Sequence, residues 1–310
     1  MPPRPIIIDC DPGQDDALAI LLALASPEEL EVLAITAVAG NVPLALTEKN
    51  ARKIVELAGR RVPVHAGCDR PLRRDMVTAE YIHGRTGLDG AELPEPSLPL
   101  ADAHAVDAIV VSLRARPGAV TLCPLGPLTN IAMAIQKAPD IVGHIREIVL
   151  MGGAIGEGNI TPAAEFNIYA DPHAAEIVFE AGVKLTMLGL DVTHQVLATP
   201  ERVRAIAATD SRVSRAVGGL LEFYNIYDQT RRKRPGAPMH DPCVIAYLLR
   251  PELFAGRDCH VVVETKGRHT LGRTVVDWSG RGRGVPNATV IDRVDADGFF
   301  ALLTERLARL

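Results

Sequence analysis

Ile6-Ile7-Ile8-Asp9-Cys10-Asp11-Pro12-Gly13-Gln14-Asp15-Asp16 runs from an apolar segment through a loop crowded with acids, and a second apolar stretch follows directly from residue 17. Residues 5–9 read as a buried strand and 14–26 as an apolar helix, and the same pair recurs at 31–37 and 44–59 with short joints between. Further strands are expected at 119–123, 147–151 and 184–190, with helices near 104–116, 127–137 and 171–181. Strands that alternate with helices form a parallel sheet covered by helices on its faces. The expected fold is therefore α/β: a single large domain spanning 1–310, with a mostly parallel central sheet flanked by helices. In such sheets ligands bind beyond the carboxyl ends of the strands, so the loops after Ile8, Ile35, Leu122 and Leu150 should converge on an active site.

The acids of the opening stretch call for a cation. Four aspartates fall within eight residues, and no Lys or Arg lies between Arg4 and Lys49. Two carboxylates about 4 Å apart repel by roughly 4 kcal/mol at an effective dielectric near 20, so a metal or a proton must relieve the cluster. Carboxylate oxygens without a thiolate or imidazole cluster favour a hard ion, calcium or magnesium, over zinc. Asp15 and Asp16 have an alternative reading as first-turn acids that complement a helix dipole. That alternative leaves Asp9 and Asp11 unexplained, which alternate on one face at the strand end.

Composition removes several other classes. The chain is 47% hydrophobic with mean hydropathy +0.13, which excludes a disordered protein. Apolar stretches fall well short of a membrane span and the N-terminus lacks the pattern of a signal peptide, so no membrane partner is expected. Five widely spaced cysteines without a CxxC pair fit a reduced, cytoplasmic compartment. A net charge of −5 provides no field for a nucleic-acid backbone, and the basic run Arg231-Arg232-Lys233-Arg234 reads as a solvated part of a mobile loop at 228–240. Gly152-Gly153-Ala154-Ile155-Gly156 lacks the spacing of a dinucleotide loop.

Six segments in this order, IIIDCDPGQDD (6–16), ITAVAGN (35–41), CPLGPLTNIAMA (123–134), IVLMGG (148–153), AEFNIYADP (164–172) and MHDPC (239–243), resemble the nucleoside hydrolases, the inosine-uridine preferring family of ribonucleoside N-glycosidases. The resemblance extends over almost the whole chain. It implies calcium held by Asp11, Asp16, Asp241 and the main-chain carbonyl of Leu125, with Asp11 also acting as general base on the attacking water. It implies that Asp15, Asn41, Asn159, Glu165, Asn167 and Asp241 hold the hydroxyls of a ribonucleoside, and that Asp9 supports the ligands from behind. His240 would protonate the departing base, a role that suits imidazole at neutral pH, while His83, Tyr224 and Tyr227 would contact that base. Family members are commonly homodimers or homotetramers, and base preference is set by loops that the motifs do not position.

Two rival readings belong to other classes. A magnesium phosphatase of the haloacid dehalogenase type also carries DxD after its first strand, but needs Thr or Val where Gly13 stands. A calcium- or ribose-binding module would use the same acids for affinity without turnover. An EF-hand is excluded because Pro12 and Gly13 interrupt its alternating ligand positions.

Overall fold

A computed structural model describes residues 2–209 and 211–310. Its centre is an eight-stranded sheet. In chain order the first six strands are β1 (Arg4–Cys10), β2 (Leu30–Ala37), β3 (Val64–Ala66), β4 (Val120–Pro124), β5 (Ile145–Met151) and β6 (Leu185–Leu188). Across the sheet the order is β3-β2-β1-β4-β5-β6, then Ala288–Val294, then Phe254–Cys259 at the edge. All pairings are parallel except the last, where Phe254–Cys259 runs antiparallel to Ala288–Val294. This is the mostly parallel α/β sheet expected from the alternation of patterns.

The three isoleucines of β1 show why the run is apolar without alternation. Ile6 and Ile8 pack into one core layer with helix α1 (Gln14–Leu24), while Ile7 packs into the opposite layer with the helices Ala105–Ala115 and Thr129–Lys137. A strand covered on both faces has no side to give to water. Every residue of α1 is buried as well, because the helix Pro242–Leu249 packs over it.

Helix positions agree closely with expectation, for example 44–59 against α2 (Leu44–Leu57) and 171–181 against Pro172–Glu180. Three differences matter. The expected strand 184–190 ends at Leu188, where Gly189 starts the short helix Leu190–Thr193. The segment 228–240 is not an open loop: Asp228–Arg232 forms a π-helix stopped by Lys233 at φ 57°, and Ala237–Pro238 pairs with Leu197–Ala198. The strands Val64–Ala66, Phe254–Cys259 and Ala288–Val294 were not anticipated, the first being only three residues long and the second carrying exposed Gly, Arg and Asp in its middle.

Asn130 ties the carboxyl edge of the sheet together. Its Nδ2 donates to Asp9 Oδ1 at 2.8 Å and to the Ala37 carbonyl at 3.1 Å, and its Oδ1 accepts from the Cys68 amide at 2.8 Å. The side chain is fully buried, so truncation would strand polar groups on three segments. Asn130→Ala is expected to lower the unfolding free energy by about 3 kcal/mol, measured as a fall in the urea midpoint at constant slope. A change of less than about 0.5 kcal/mol would show that water replaces the lost partners.

Candidate active site

The opening acids come together at the end of β1, and local geometry explains how. Gly13 is the N-cap of α1, and Asp16, three residues on, accepts the Gly13 amide at 2.9 Å through Oδ2. Its Oδ1 accepts the Asp11 amide at 3.3 Å. Asp16 thus serves the helix start and the acid cluster at once, and the two readings of it are both correct. Asp11 Oδ2 accepts the Asn41 amide at 2.7 Å, and Asn41 Nδ2 donates to the Asp11 carbonyl and to Asp16 Oδ2 at 3.1 and 3.3 Å. Gly40 and Gly126 lie so close that a Cβ on either would collide with the Asp11 carboxylate. From 225 residues further along the chain, Asp241 arrives at the start of the helix Pro242–Leu249.

Asp15, Asp16 and Asp241 each offer an oxygen within 4.8 Å of the others, and all three are buried. Asp11 is equally buried but stands outside that group, and its charge bears on Asp241. Among the described residues no lysine or arginine pairs with any of the four. Burial pushes Asp11 and Asp241 well above the usual carboxylate range, Asp15 up to about 8 and Asp16 to about 6, with neighbouring carboxylates adding to the rise for Asp11, Asp15 and Asp241. Oxygens of Asp16 and Asp241 lie within 4.8 Å of each other, a closeness that favours a proton on one of them when no cation is there. An all-oxygen donor set that otherwise has to hold protons fits a hard divalent ion. Leu125 lines the same cavity, while its side chain belongs to the core, and its carbonyl accepts from Asn167 Nδ2 at 2.6 Å.

Above the acids is a cavity that encloses about 590 Å³ of empty space, counting the part open to solvent. Asp15, Asn41, His83, Leu125, Asn159, Glu165, Asn167, Tyr224, His240 and Asp241 all line it, whereas Asp11 and Asp16 lie behind its floor. Glu165 caps the short helix Phe166–Ala170, accepting the amides of Asn167 and Gly153 at 2.9 Å and of Ile168 at 3.2 Å. Burial nevertheless lifts its carboxyl to about 7. Asn167 donates to the carbonyls of Leu125 at 2.6 Å and Met151 at 3.1 Å, so its amide oxygen is what it has left for a ligand. Asn159 Oδ1 accepts the Phe166 amide at 2.8 Å. Asp9 faces away from this cavity: its Oδ1 accepts from Thr36 at 2.5 Å and Asn130 at 2.8 Å, its Oδ2 is buried without a partner, and burial raises it to about 7. It braces the sheet edge and contacts none of the other acids by hydrogen bond.

The two histidines differ in ways that their sequence contexts hide. Gln14 Nε2 donates to the carbonyls of His83 and Asp89 at 3.0 and 3.1 Å, which fixes Gln14 Oε1 as the acceptor 2.7 Å from His83 Nδ1. His83 therefore carries its proton on Nδ1 and has a bare Nε2. Burial pushes its pKa down to about 3, and its ring stacks on Tyr224 at 5.5 Å. It is an acceptor and a stacking wall at neutral pH, and not a proton source. His240 Nδ1 lies 2.8 Å from the Thr193 hydroxyl, and burial with His194, Arg232 and Arg234 nearby pushes its pKa well below the usual value.

Tyr224 reaches Asp15 Oδ2 with its hydroxyl at 3.4 Å. Tyr227 is not on the cavity wall; it packs edge-on to Tyr81 at 5.8 Å and beneath the Arg232 guanidinium at 5.5 Å. Ala79, Tyr81, Ile82, Met151, Phe166, Asp228 and Arg232 complete the wall, and the sequence motifs give them no role. Arg232 corrects the view of the basic run as solvated: it donates to the Asn159 carbonyl at 3.2 Å, and its neighbour Arg234 pairs with Asp228 at 3.4 Å. The odd spacing of a π-helix is what turns it inward, and residue pattern carries no signal for that.

Fold and site together define an α/β enzyme with a small-molecule cavity floored by unneutralised acids at the carboxyl edge of its sheet. Residues 6–301 match the family model of the inosine-uridine preferring nucleoside hydrolases, and the chain belongs to that family. It is 47% identical over 306 residues to the pyrimidine-specific ribonucleoside hydrolase RihA of Shewanella woodyi, covering 98% of each chain. Among solved structures, a plant nucleoside hydrolase superposes with a TM-score of 0.93 at 34% identity over 99% of both chains. The purine-preferring ribonucleoside hydrolase of Gardnerella vaginalis does so with 0.92 at 34% over 98% of both. No helix among the described residues is long and apolar enough to cross a membrane.

The raised carboxyls set a pH dependence. Unfolded aspartates ionise near 3.8, whereas in the folded, ion-free protein Asp16 and Asp15 hold their protons to about 6 and 8. The folded state then binds more protons than the unfolded one, so its stability falls as pH rises through that window, by at most about 1.4 kcal/mol per pH unit per proton. Chelator-treated protein should melt at a lower temperature at pH 8 than at pH 6, and saturating calcium should remove most of that difference by taking the place of the protons. Identical pH dependence with and without the ion would show that the acids do not form its site.

Proposed function

We propose that this chain hydrolyses the N-glycosidic bond of ribonucleosides in a calcium-dependent reaction, releasing free base and ribose, with pyrimidine ribonucleosides preferred. The observation that carries this reading is the meeting, in one cavity, of buried carboxylates that no residue neutralises with a ring of amides and acids suited to a sugar. Identity to the pyrimidine-specific RihA enzyme is higher than to the purine-preferring structure, 47% against 34%, which favours the pyrimidine class.

In this reading Asp11, Asp16, Asp241 and the Leu125 carbonyl would hold calcium, an ion that takes oxygen donors of this kind. The ion supplies a Lewis acid and a fixed position for the attacking water. Asp11 accepts the proton of that water. Asp15, Asn41, Asn159, Glu165, Asn167 and Asp241 grip the hydroxyls, and their negative charge stabilises the cationic sugar that develops as the bond to the base breaks. His240 serves the departing base. His83 and Tyr224, stacked on each other, form the wall against which the base lies, and Arg232 offers a donor at its far edge.

The test is a panel of uridine, cytidine, inosine, adenosine and 2′-deoxyuridine, assayed with calcium for free base and reducing sugar. Uridine and cytidine should be cleaved best, and absence of release from every ribonucleoside would reject the function. Deoxyuridine should react at least about a hundredfold more slowly, since Asp15 and Asn167 would face a missing hydroxyl as unpaired buried groups. Equal rates for uridine and deoxyuridine would sink the assignment of the sugar contacts. Asp11→Asn keeps the shape of the site but removes a base and a negative ligand. It should lower kcat by about a thousandfold, roughly 4 kcal/mol in the barrier, with the circular dichroism spectrum unchanged. A folded variant that retains more than about a tenth of the rate would exclude Asp11 as the base.

A further inference from the structure

The short helix Leu190–Thr193 leaves the carboxyl end of β6 and aims its last side chain at the cavity wall. Thr193 is fully buried, and its Oγ1 lies 2.8 Å from His240 Nδ1. Asp191 of the same turn accepts the amides of Ile155 and Gly156 at 2.6 and 3.2 Å, so the turn is pinned and its threonine has a fixed place. His240 lines the cavity, and with Nδ1 occupied by Thr193 its Nε2 is the nitrogen free to meet a ligand.

A hydroxyl can donate to Nδ1 or accept from it, and the two choices place the imidazole proton on opposite sides of the ring. Among the described residues Nδ1 is the only partner of the Thr193 hydroxyl. If the hydroxyl accepted, its own proton would be buried without an acceptor, at a cost of about 1–3 kcal/mol. If it donates, the hydroxyl is satisfied and the imidazole proton must sit on Nε2. The neighbouring His194 ring does not compete for Nδ1: it lies 5.7 Å away, and its own Nδ1 faces Arg234 at 3.5 Å.

We infer that Thr193 is a positioning residue that fixes His240 as the Nε2–H tautomer, so that His240 presents a hydrogen-bond donor to the departing nucleobase. This rests on the proposed reaction only for its catalytic consequence; the tautomer itself is a property of the protein. The inference also assigns the two histidines opposite tasks. His83 has its proton on Nδ1 and can only accept toward the cavity, whereas His240 is wired to donate. The developing negative charge of the base is stabilised by the Nε2–H bond while the pair of electrons of the broken bond stays on the base, and the released anion takes its proton from solvent.

The tautomer is read directly by nitrogen NMR of protein labelled on histidine, with calcium present and the His240 signals assigned by their loss in His240→Ala. The wild type should show a protonated Nε2 and a bare Nδ1, and Thr193→Val, which keeps the shape but removes the hydroxyl, should shift that pattern toward a mixture. A protonated Nδ1 in the wild type would overturn the inference regardless of any activity. In kinetics, Thr193→Val should slow uridine by about ten- to a hundredfold and leave p-nitrophenyl riboside, whose leaving group needs no donor, within about twofold. Thr193→Ser should recover most of the rate, and Thr193→Val in the His240→Ala background should cost nothing further. Equal loss on both substrates, or a further loss in the double variant, would reduce Thr193 to a structural role and reject the inference. If His240→Ala itself spares uridine, the part given to His240 fails instead, and the NMR pattern still decides the tautomer.

Discussion

Four buried carboxylates with no protein cation among them set the terms for the rest of this molecule. Asp11, Asp15, Asp16 and Asp241 occupy a volume in which each raises the cost of ionising the others, and folding alone can accept that only by keeping protons on them or by admitting an ion. The sheet makes the arrangement possible by ending β1 against Asn41 and the glycines 40 and 126, which approach the Asp11 carboxylate more closely than any side chain would permit. It also explains the brace behind the site. Asp9, Thr36 and Asn130 join three adjacent chain segments by hydrogen bonds, holding rigid an edge that electrostatic repulsion would otherwise push apart.

In the proposed reaction, rigidity of this kind would serve an ion and a sugar but is ill suited to choosing a base. The groups on the acid side are held by backbone amides and helix starts, as in Glu165 with three amides and Asp16 with two. Those at the other end of the cavity come from side chains on an interruption of helix geometry: Asp228 and Arg232 sit on the π-helix that follows the helix Arg212–Tyr227. A π-helix is a marginal structure whose register depends on its surroundings. Chemistry and selectivity are thereby placed on separate supports, one fixed by the sheet and one by a segment that can change without disturbing the acids.

Much of this was legible in the residues, and the boundary of legibility has physical causes. The longer strands and helices up to residue 188 announce themselves because apolar periodicity is what their burial demands, whereas the three residues of Val64–Ala66 are too few to show a period. The acid cluster does so because charge without counter-charge is conspicuous even in one dimension. The late strands do not, since Phe254–Cys259 lies at an edge and is half solvated, so its residues need not be apolar. Leu125 contributes through a carbonyl, which no side-chain pattern reports. Arg232 was misjudged for a related reason: four consecutive cations look like a solvated surface, yet a π-turn directs one of them inward to Asn159. Tyr227, next to Tyr224 by helical spacing, is off the cavity wall and packs edge-on to Tyr81, which lines it.

The histidines carry the same lesson down to the position of a proton. The resemblance marks His240 as the acid and His83 as a contact to the base, and burial depresses both pKa values, which counts against either as a proton source. The distinction lies in what touches Nδ1. A glutamine oxygen can only accept, so it draws the proton of His83 to Nδ1 and leaves the cavity side bare. A threonine hydroxyl with no other partner donates, and so sends the proton of His240 to the opposite nitrogen. A neutral imidazole of the second kind can still stabilise negative charge, because a hydrogen bond to a developing anion strengthens as the charge grows. Depressed basicity is then no obstacle to the role, and the half-buried, cation-flanked setting of His240 becomes intelligible: it keeps the ring a neutral donor beside a site that, in the proposed reaction, would hold an ion.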